Sequence, residues 1–240
     1  MLAAFVLVSA RQVHPIMGDL RLSVVSWQVW VAVVLTVLPA VLGGIFEDWT
    51  HRLRPFLRFA LTGVSATLAV AVLGLNIDRS GLAWFDEWWR WTPWFGIALA
   101  WLAVAGLPHS FNLIDGYNGL AGAVALAITA ALAYVALKVG DWPLAALLSS
   151  LAGTTAGFLV WNYPRGLLFA GDGGAYLWGS VLAIAAIALV QRNPAVSPWF
   201  PMLLLSYPVV ETLFSVLFVV GYVAAYLTIV RFKVPRWLRR

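Results

Sequence analysis

The sequence predicts an all-α integral membrane protein, a polytopic bundle of about 7–9 transmembrane helices with its chemistry gathered at the cytoplasmic face. Three observations carry this. The 240-residue chain is 62% hydrophobic and 10% charged, far below the roughly 25% charged residues of soluble domains. Apolar runs close to the roughly 20 residues that cross a bilayer recur along its length. Fourteen tryptophans suit a chain with many crossings of the membrane–water interface, where indole rings concentrate.

The elements follow in order. The opening run "MLAAFVLVSA" is about half a crossing and reads as part of a span. No basic segment precedes it, so it is not a signal peptide. Helices are expected near 28–46, 57–75, 94–108, 119–138, 143–161, 174–191 and 199–220 or beyond, each bounded by charge, Pro, Gly or Asn. The run 94–108 is short for a full crossing. No long polar segment separates these runs, so residues 1–240 form one membrane domain. The absence of cysteine excludes disulfides and thiolate metal sites.

Alternating the loops sorts the charges. Arg52, Arg54, Arg58, Arg165, Arg231, Lys233, Arg236, Arg239 and Arg240 fall on one side; Arg11, Arg21, Arg79, Arg90, Lys138 and Arg192 fall on the other. The richer side is cytoplasmic by the positive-inside rule. The net charge of +5 thus speaks first for orientation, then for an anionic substrate, and no nucleic-acid partner is expected. The loop "AWFDEWWRWTPWF" faces outward as an aromatic belt. Three polar stretches share the cytoplasmic side: "FEDWTHR" (46–52), "HSFNLIDGYNGL" (109–120) and "WNYPRGLLFAGDGG" (161–174).

Glu47, Asp48, Asp115 and Asp172 in these stretches are hard oxygen donors with no His or Cys cluster in competition. Such carboxylates suit Mg²⁺, and Mn²⁺ as a second choice, completed by water and phosphate oxygens. Gly116, Gly119, Gly171, Gly173 and Gly174 permit tight turns and close approach to a ligand. Arg52, Arg54 and Arg165 are placed to hold phosphate oxygens. Together these point to phosphoryl transfer. Other polar residues read more plainly. His51 and His109 are loop polar residues, and "GTTAG" (153–157) is a small-residue helix-packing stretch. Glu211 lies within an apolar run and is functional or paired by default. Neither a Walker loop nor a dinucleotide fingerprint is present.

"NLIDGYNGLAG" and "WNYPRGLLFAGDGGAYLWG" together resemble the polyprenyl-phosphate N-acetylhexosamine-1-phosphate transferases, glycosyltransferase family 4. The resemblance runs from about residue 30 to about residue 215. Asn112, Asp115, Gly116, Asn118, Gly119 and Leu120 fit one motif of that family. Asn162, Pro164, Phe169, Gly171, Asp172 and Gly174 fit a second. "GGIFEDWTHR" resembles its first acidic pair, with Glu47 in place of Asp and Asp48 retained, and "YPVVETLFS" resembles the start of its last region.

The resemblance implies transfer of a sugar phosphate from a UDP-N-acetylhexosamine to a polyprenyl phosphate in a bacterial cytoplasmic membrane, with Mg²⁺ and release of UMP. It implies Asp172 as metal ligand, joined by Asp115. Phe169 would stack on uracil, and Asn112 and Asp115 would shape the nucleotide-sugar pocket. Asn118, Asn162, Arg165 and Arg52 complete the expected substrate contacts. Glu47 and Asp48 would lie near the lipid phosphate and orient a direct attack, since that phosphate is already mostly dianionic at neutral pH. A homodimer is the one protein partner left open. A glycan such as O-antigen, capsule or teichoic-type polymer is expected over peptidoglycan.

Departures from the family pattern set a second expectation. Ala175 stands where Ser is usual, an N-terminal basic loop is missing, and "VLFVVGYVAAYLTIVRFKVPRWLRR" occupies the place of a histidine-bearing loop. A truncated or inactive member that binds nucleotide-sugar or lipid phosphate without transfer is the alternative.

Overall fold

A computed structural model describes residues 27–233. The expectations for the opening run, for Arg11 and Arg21, and for Arg236, Arg239 and Arg240 fall outside the described residues, as do the side chains of Arg231 and Lys233. The described elements are α1 (Trp27–Thr50), α2 (Pro55–Leu73), α3 (Ala83–Arg90), α4 (Pro93–Ile114), α5 (Leu120–Lys138), α6 (Trp142–Asn162), α7 (Gly171–Arg192), α8 (Trp199–Leu204) and α9 (Ser206–Lys233), with no strand among the described residues. Among the described residues seven helices are long and apolar enough to cross a membrane, which makes this a multi-span membrane bundle.

Several boundaries move from their expected places. Helix α1 runs four residues beyond 46, so Glu47 and Asp48 sit on its last turn and not in a loop. Helix α4 passes through Pro108 and reaches Ile114, which puts His109 and Asn112 on a helix and makes the short run a full crossing. Proline inside a span is tolerated where neighbouring helices support it. The expected last helix divides at Leu205 into α8 and α9. The tryptophan-rich loop expected to face outward contains a helix of its own, α3. There Asp86 accepts from the Ser80 N–H and hydroxyl at 2.6 Å and from the Gly81 N–H at 3.1 Å. Trp84 and Trp88 are exposed while Trp89 is buried, the habit of a short interfacial helix.

Helix α7 is the centre of the bundle and is buried over most of its length. It packs between α1 and α4; α2 closes the far side against both, and α5 brings the α5–α6 hairpin alongside. Small residues allow this crowding. A Cβ at Gly179 would lie 2.4 Å from the Pro108 backbone, and one at Gly44 would lie 2.6 Å from the Asp172 carbonyl. The "GTTAG" stretch packs through Thr155, which accepts from the Trp178 indole at 3.0 Å. Gly153 and Gly157 face no neighbour, so the packing there does not use the glycines.

The end of the bundle away from the acidic motifs is tied by polar clamps. Arg79 donates to the carbonyls of Val190, Asn193 and Val196 at 3.0, 3.2 and 2.8 Å. Asp141 starts α6 by accepting from the Leu144 N–H and forms an ion pair with Arg192. These fix the C-terminal end of α7, and so the depth at which its N-terminus presents Asp172.

Candidate active site

The site forms where the C-terminal ends of α1, α4 and α6 meet the N-terminal ends of α2, α5 and α7. Helix α7 starts at Gly171, whose φ of 63° is open to glycine at little strain. A Cβ there would lie 2.5 Å from an Asp48 carboxylate oxygen. The first turn of a helix leaves backbone N–H groups without intrahelical partners. Asp48, from another helix, takes two of them: the Asp172 N–H at 2.8 Å and the Gly173 N–H at 3.0 Å. Its negative charge sits at the positive end of the α7 dipole.

Asp172, thus anchored by its backbone, is held at both side-chain oxygens. One accepts from the Asn112 amide at 2.5 Å; the other pairs with the Arg58 guanidinium at 3.0 Å. Both ionic partners are mostly buried, with 25% and 19% of their side-chain surfaces exposed. Two hydrogen bonds leave lone pairs free on each carboxylate oxygen. Arg58 is the residue that reading the sequence missed. It was counted as one of several cytoplasmic cations, although an arginine set four residues into an apolar helix is itself a signal of function.

Asp115 ends α4 and completes the acidic group. Burial, with the negative charges of Asp172 and Asp48 adding to it, pushes its carboxyl up to about 6. It has no hydrogen-bond donor among the described residues, so nothing there offsets its ionisation. Among the described residues no three carboxylates or imidazoles stand close enough to hold a metal ion by themselves. A magnesium ion that keeps water and takes phosphate oxygens does not require three. The donor set therefore fits such an ion.

The other expected residues separate by place. Asn162 is buried, at 4% exposure, and both ends of its amide are engaged: it accepts from the Gly119 N–H and donates to the Leu168 carbonyl at 2.8 Å. Asn162, expected as a substrate contact, joins the two motif loops in this structure. Asn118 donates to the Pro164 carbonyl at 3.3 Å and strengthens the same junction. Glu47 accepts from the Leu53 N–H at 2.8 Å and shapes the α1–α2 turn, while His51 closes α1 at a φ of 50°. Arg52, Arg165 and Phe169 are exposed on the loops of this end. Glu211 is exposed near the start of α9, with no ion pair among the described residues.

His109 is not the loop residue expected. It is half-buried on α4, with its ring nitrogens 3.1 Å from the Thr62 hydroxyl and 3.3 Å from the Tyr176 hydroxyl. A groove of about 450 Å³ opens beside it, lined by Arg58, His109, Asn112 and Tyr176 and by Val216, Val219 and Val220 of α9. A lining that joins an arginine and polar side chains to an apolar wall is complementary to an amphiphile with an anionic head.

The fold and site define a multi-span membrane protein with a carboxylate and arginine centre at one end of its helices. Residues 30–190 match the profile of glycosyl transferase family 4, and the chain belongs to that family. It is similar to a Bacillus subtilis protein named "Probable undecaprenyl-phosphate N-acetylglucosaminyl 1-phosphate transferase", at 26% identity over 72% of this chain and 48% of that one. It is also similar to the phospho-N-acetylmuramoyl-pentapeptide-transferases of Moorella thermoacetica, at 34% over 56% of this chain and 41% of that one, and of Leuconostoc citreum, at 30% over 68% and 44%. The chain spans less than half the length of these relatives.

Proposed function

We propose that the chain transfers N-acetylhexosamine-1-phosphate from a UDP-sugar to a polyprenyl phosphate, undecaprenyl phosphate being the expected form, and releases UMP for cell-envelope glycan synthesis. The observation that carries this reading is the pair Arg58 and Asn112, which hold Asp172 between them and also line a largely apolar groove. Family membership and the printed names of the relatives support the same reaction class. An oxygen of the lipid phosphate attacks the β-phosphorus of the UDP-sugar. The bond from that phosphorus to the bridging oxygen breaks, and UMP leaves with the oxygen.

In this reading Arg58 meets the acceptor phosphate and lowers the repulsion between two anions. The α9 wall receives the first isoprenoid units, and the rest of the tail lies in lipid. Asn112 keeps Asp172 oriented, and Asp48 keeps the whole first turn of α7 in place. Arg52, Arg165 and Phe169, exposed on the adjoining loops, are the groups for the nucleotide. Asp115 and Asp172 would hold Mg²⁺, or Mn²⁺, whose role when bound is to neutralise diphosphate charge. What supports a metal here is the cost of ionising Asp115, which a cation removes. By the positive-inside rule the site faces the cytoplasm of a bacterial inner membrane. The assembly of Arg58, Asn112 and Asp172 around one point favours turnover over binding without transfer.

The test is UMP release by membranes containing the chain, supplied with Mg²⁺, undecaprenyl phosphate and either UDP-N-acetylglucosamine or UDP-N-acetylmuramoyl-pentapeptide, with Asp172→Asn beside it. Release that the substitution abolishes supports transfer, and the sugar that works names the donor. Silence with both donors, while nucleotide-sugar still binds, would establish the binding-only alternative.

A further inference from the structure

We propose that Asn162 is a positioning residue for the nucleotide. Its buried amide ties the loop 163–170 to the loop of Asp115, and so presents Phe169 and Arg165 already ordered to the UDP part of the donor. This rests on the reading above that those two side chains meet the nucleotide.

The loop has little else to hold it. Tyr163, Pro164, Arg165, Leu167, Leu168 and Phe169 are all exposed, Phe169 at 71%, so apolar burial contributes little order between α6 and α7. Hydrogen bonds fix the backbone instead, and two of them lead to Asn162. The Gly166 N–H donates to the Asn162 carbonyl at 2.6 Å, and the Leu167 N–H to the Trp161 carbonyl at 3.0 Å. The Asn162 amide donates to the Leu168 carbonyl at 2.8 Å. From the other loop the Asn118 amide donates to the Pro164 carbonyl at 3.3 Å.

The partners of Asn162 allow its amide one orientation. Gly119 presents an N–H, which only Oδ1 accepts, and Leu168 presents a carbonyl, which only Nδ2 satisfies. At 4% exposure, losing either partner leaves a buried polar group unpaired. Gly119 stands directly before α5, four residues after Asp115, and Leu168 directly precedes Phe169. One side chain thereby couples the backbone beside the Asp115 carboxyl to the backbone beside the aromatic ring. The loops also touch: a Cβ at Gly119 would lie 2.8 Å from the Tyr163 ring. A nucleotide met by Phe169 at its base and by the Asp115 loop at its phosphates needs both loops in one register. Ordering even one backbone residue at the moment of binding costs about tenfold in affinity.

The test uses the purified full chain with Asn162→Asp and Asn118→Ala. Asp keeps an acceptor for the Gly119 N–H but sets a carboxylate oxygen against the Leu168 carbonyl, which frees that part of the loop. Calorimetry with UDP and Mg²⁺, and separately with farnesyl phosphate, reads the two substrate sites without turnover. Hydrogen exchange reads the loop itself. Asn162→Asp should weaken UDP binding about tenfold and speed amide exchange across 163–170, while farnesyl phosphate binding stays at wild type. Asn118→Ala should move both readouts the same way by less, and it carries the comparison if Asn162→Asp does not fold. Unchanged UDP binding in the variants, or equal losses for UDP and farnesyl phosphate, overturns the proposal. So does weaker UDP binding with the loop exchanging at the wild-type rate, which would make Asn162 a direct contact. A wild-type chain that binds UDP yet releases no UMP sinks the transfer reading alone, whereas one that binds no UDP overturns both.

Discussion

Replacing Asp48 by Asn separates two roles for an acidic residue beside a phosphoryl-transfer site. In the structure both oxygens of Asp48 accept from backbone N–H groups at the start of α7, so its work is to hold Asp172. Asn keeps one acceptor and loses the second, together with the charge that complements the helix dipole. The lost cap is worth about 1 kcal/mol and the lost charge about 0.3–1 kcal/mol, toward the lower end because Asp48 is exposed. The sum, about 1–2 kcal/mol, corresponds to a melting point lower by about 3–6 °C for a chain of this size. A small displacement of Asp172 follows, and misplacement on the ångström scale reduces kcat by about a hundredfold at most. Asp172→Asn removes the partner of Arg58 itself and should reduce kcat by about a thousandfold or more. Thermal melts and UMP release on the same preparations give the comparison, and the expected order of activity is wild type, Asp48→Asn, Asp172→Asn. An Asp48→Asn protein that melts like wild type and is as inactive as Asp172→Asn would refute a holding role. So would an aspartyl phosphate trapped at Asp48, which would make it the nucleophile.

Three further outcomes are expected. Arg58→Gln should raise the acceptor KM by about tenfold to a hundredfold in initial-rate measurements, and Arg58→Lys should recover part of it, since an ammonium keeps the charge without the fork. Asp115 should give opposite signs with pH: its raised folded-state pKa makes its contribution to stability fall as pH rises from 3.8 toward about 6, seen in metal-free melts. Mg²⁺-dependent UMP release should instead fall as pH drops below about 6, where protons compete for the same carboxylate. Gly179→Ala places a Cβ 2.4 Å from the Pro108 backbone and should destabilise the chain by about 1–3 kcal/mol, read as a lower melting point.

What the sequence made legible divides along a physical line. The crossings, their number and the face shared by the three polar stretches are properties of local composition, and each is read from a window of about 20 residues. Asp115 and Asp172 are legible too, because carboxylates are scarce in this chain and their glycine-rich settings are distinctive. What stays hidden is carried by pairs far apart in sequence. Asp48 and the α7 N-terminus are separated by 124 positions, and no window holds both a cap and the helix that it caps. Arg58 is visible as a charge set four residues into an apolar helix, but the partner that gives it its place lies 114 positions away. His109 was misplaced for a different reason. Pro108 reads locally as the end of a helix, yet α4 continues through it because Gly179 of α7 lets the two backbones touch there. That single tertiary contact moves His109 and Asn112 from an imagined loop onto the wall of the groove. The chemistry of this end of the molecule thus depends on a glycine and a proline that carry no chemistry themselves.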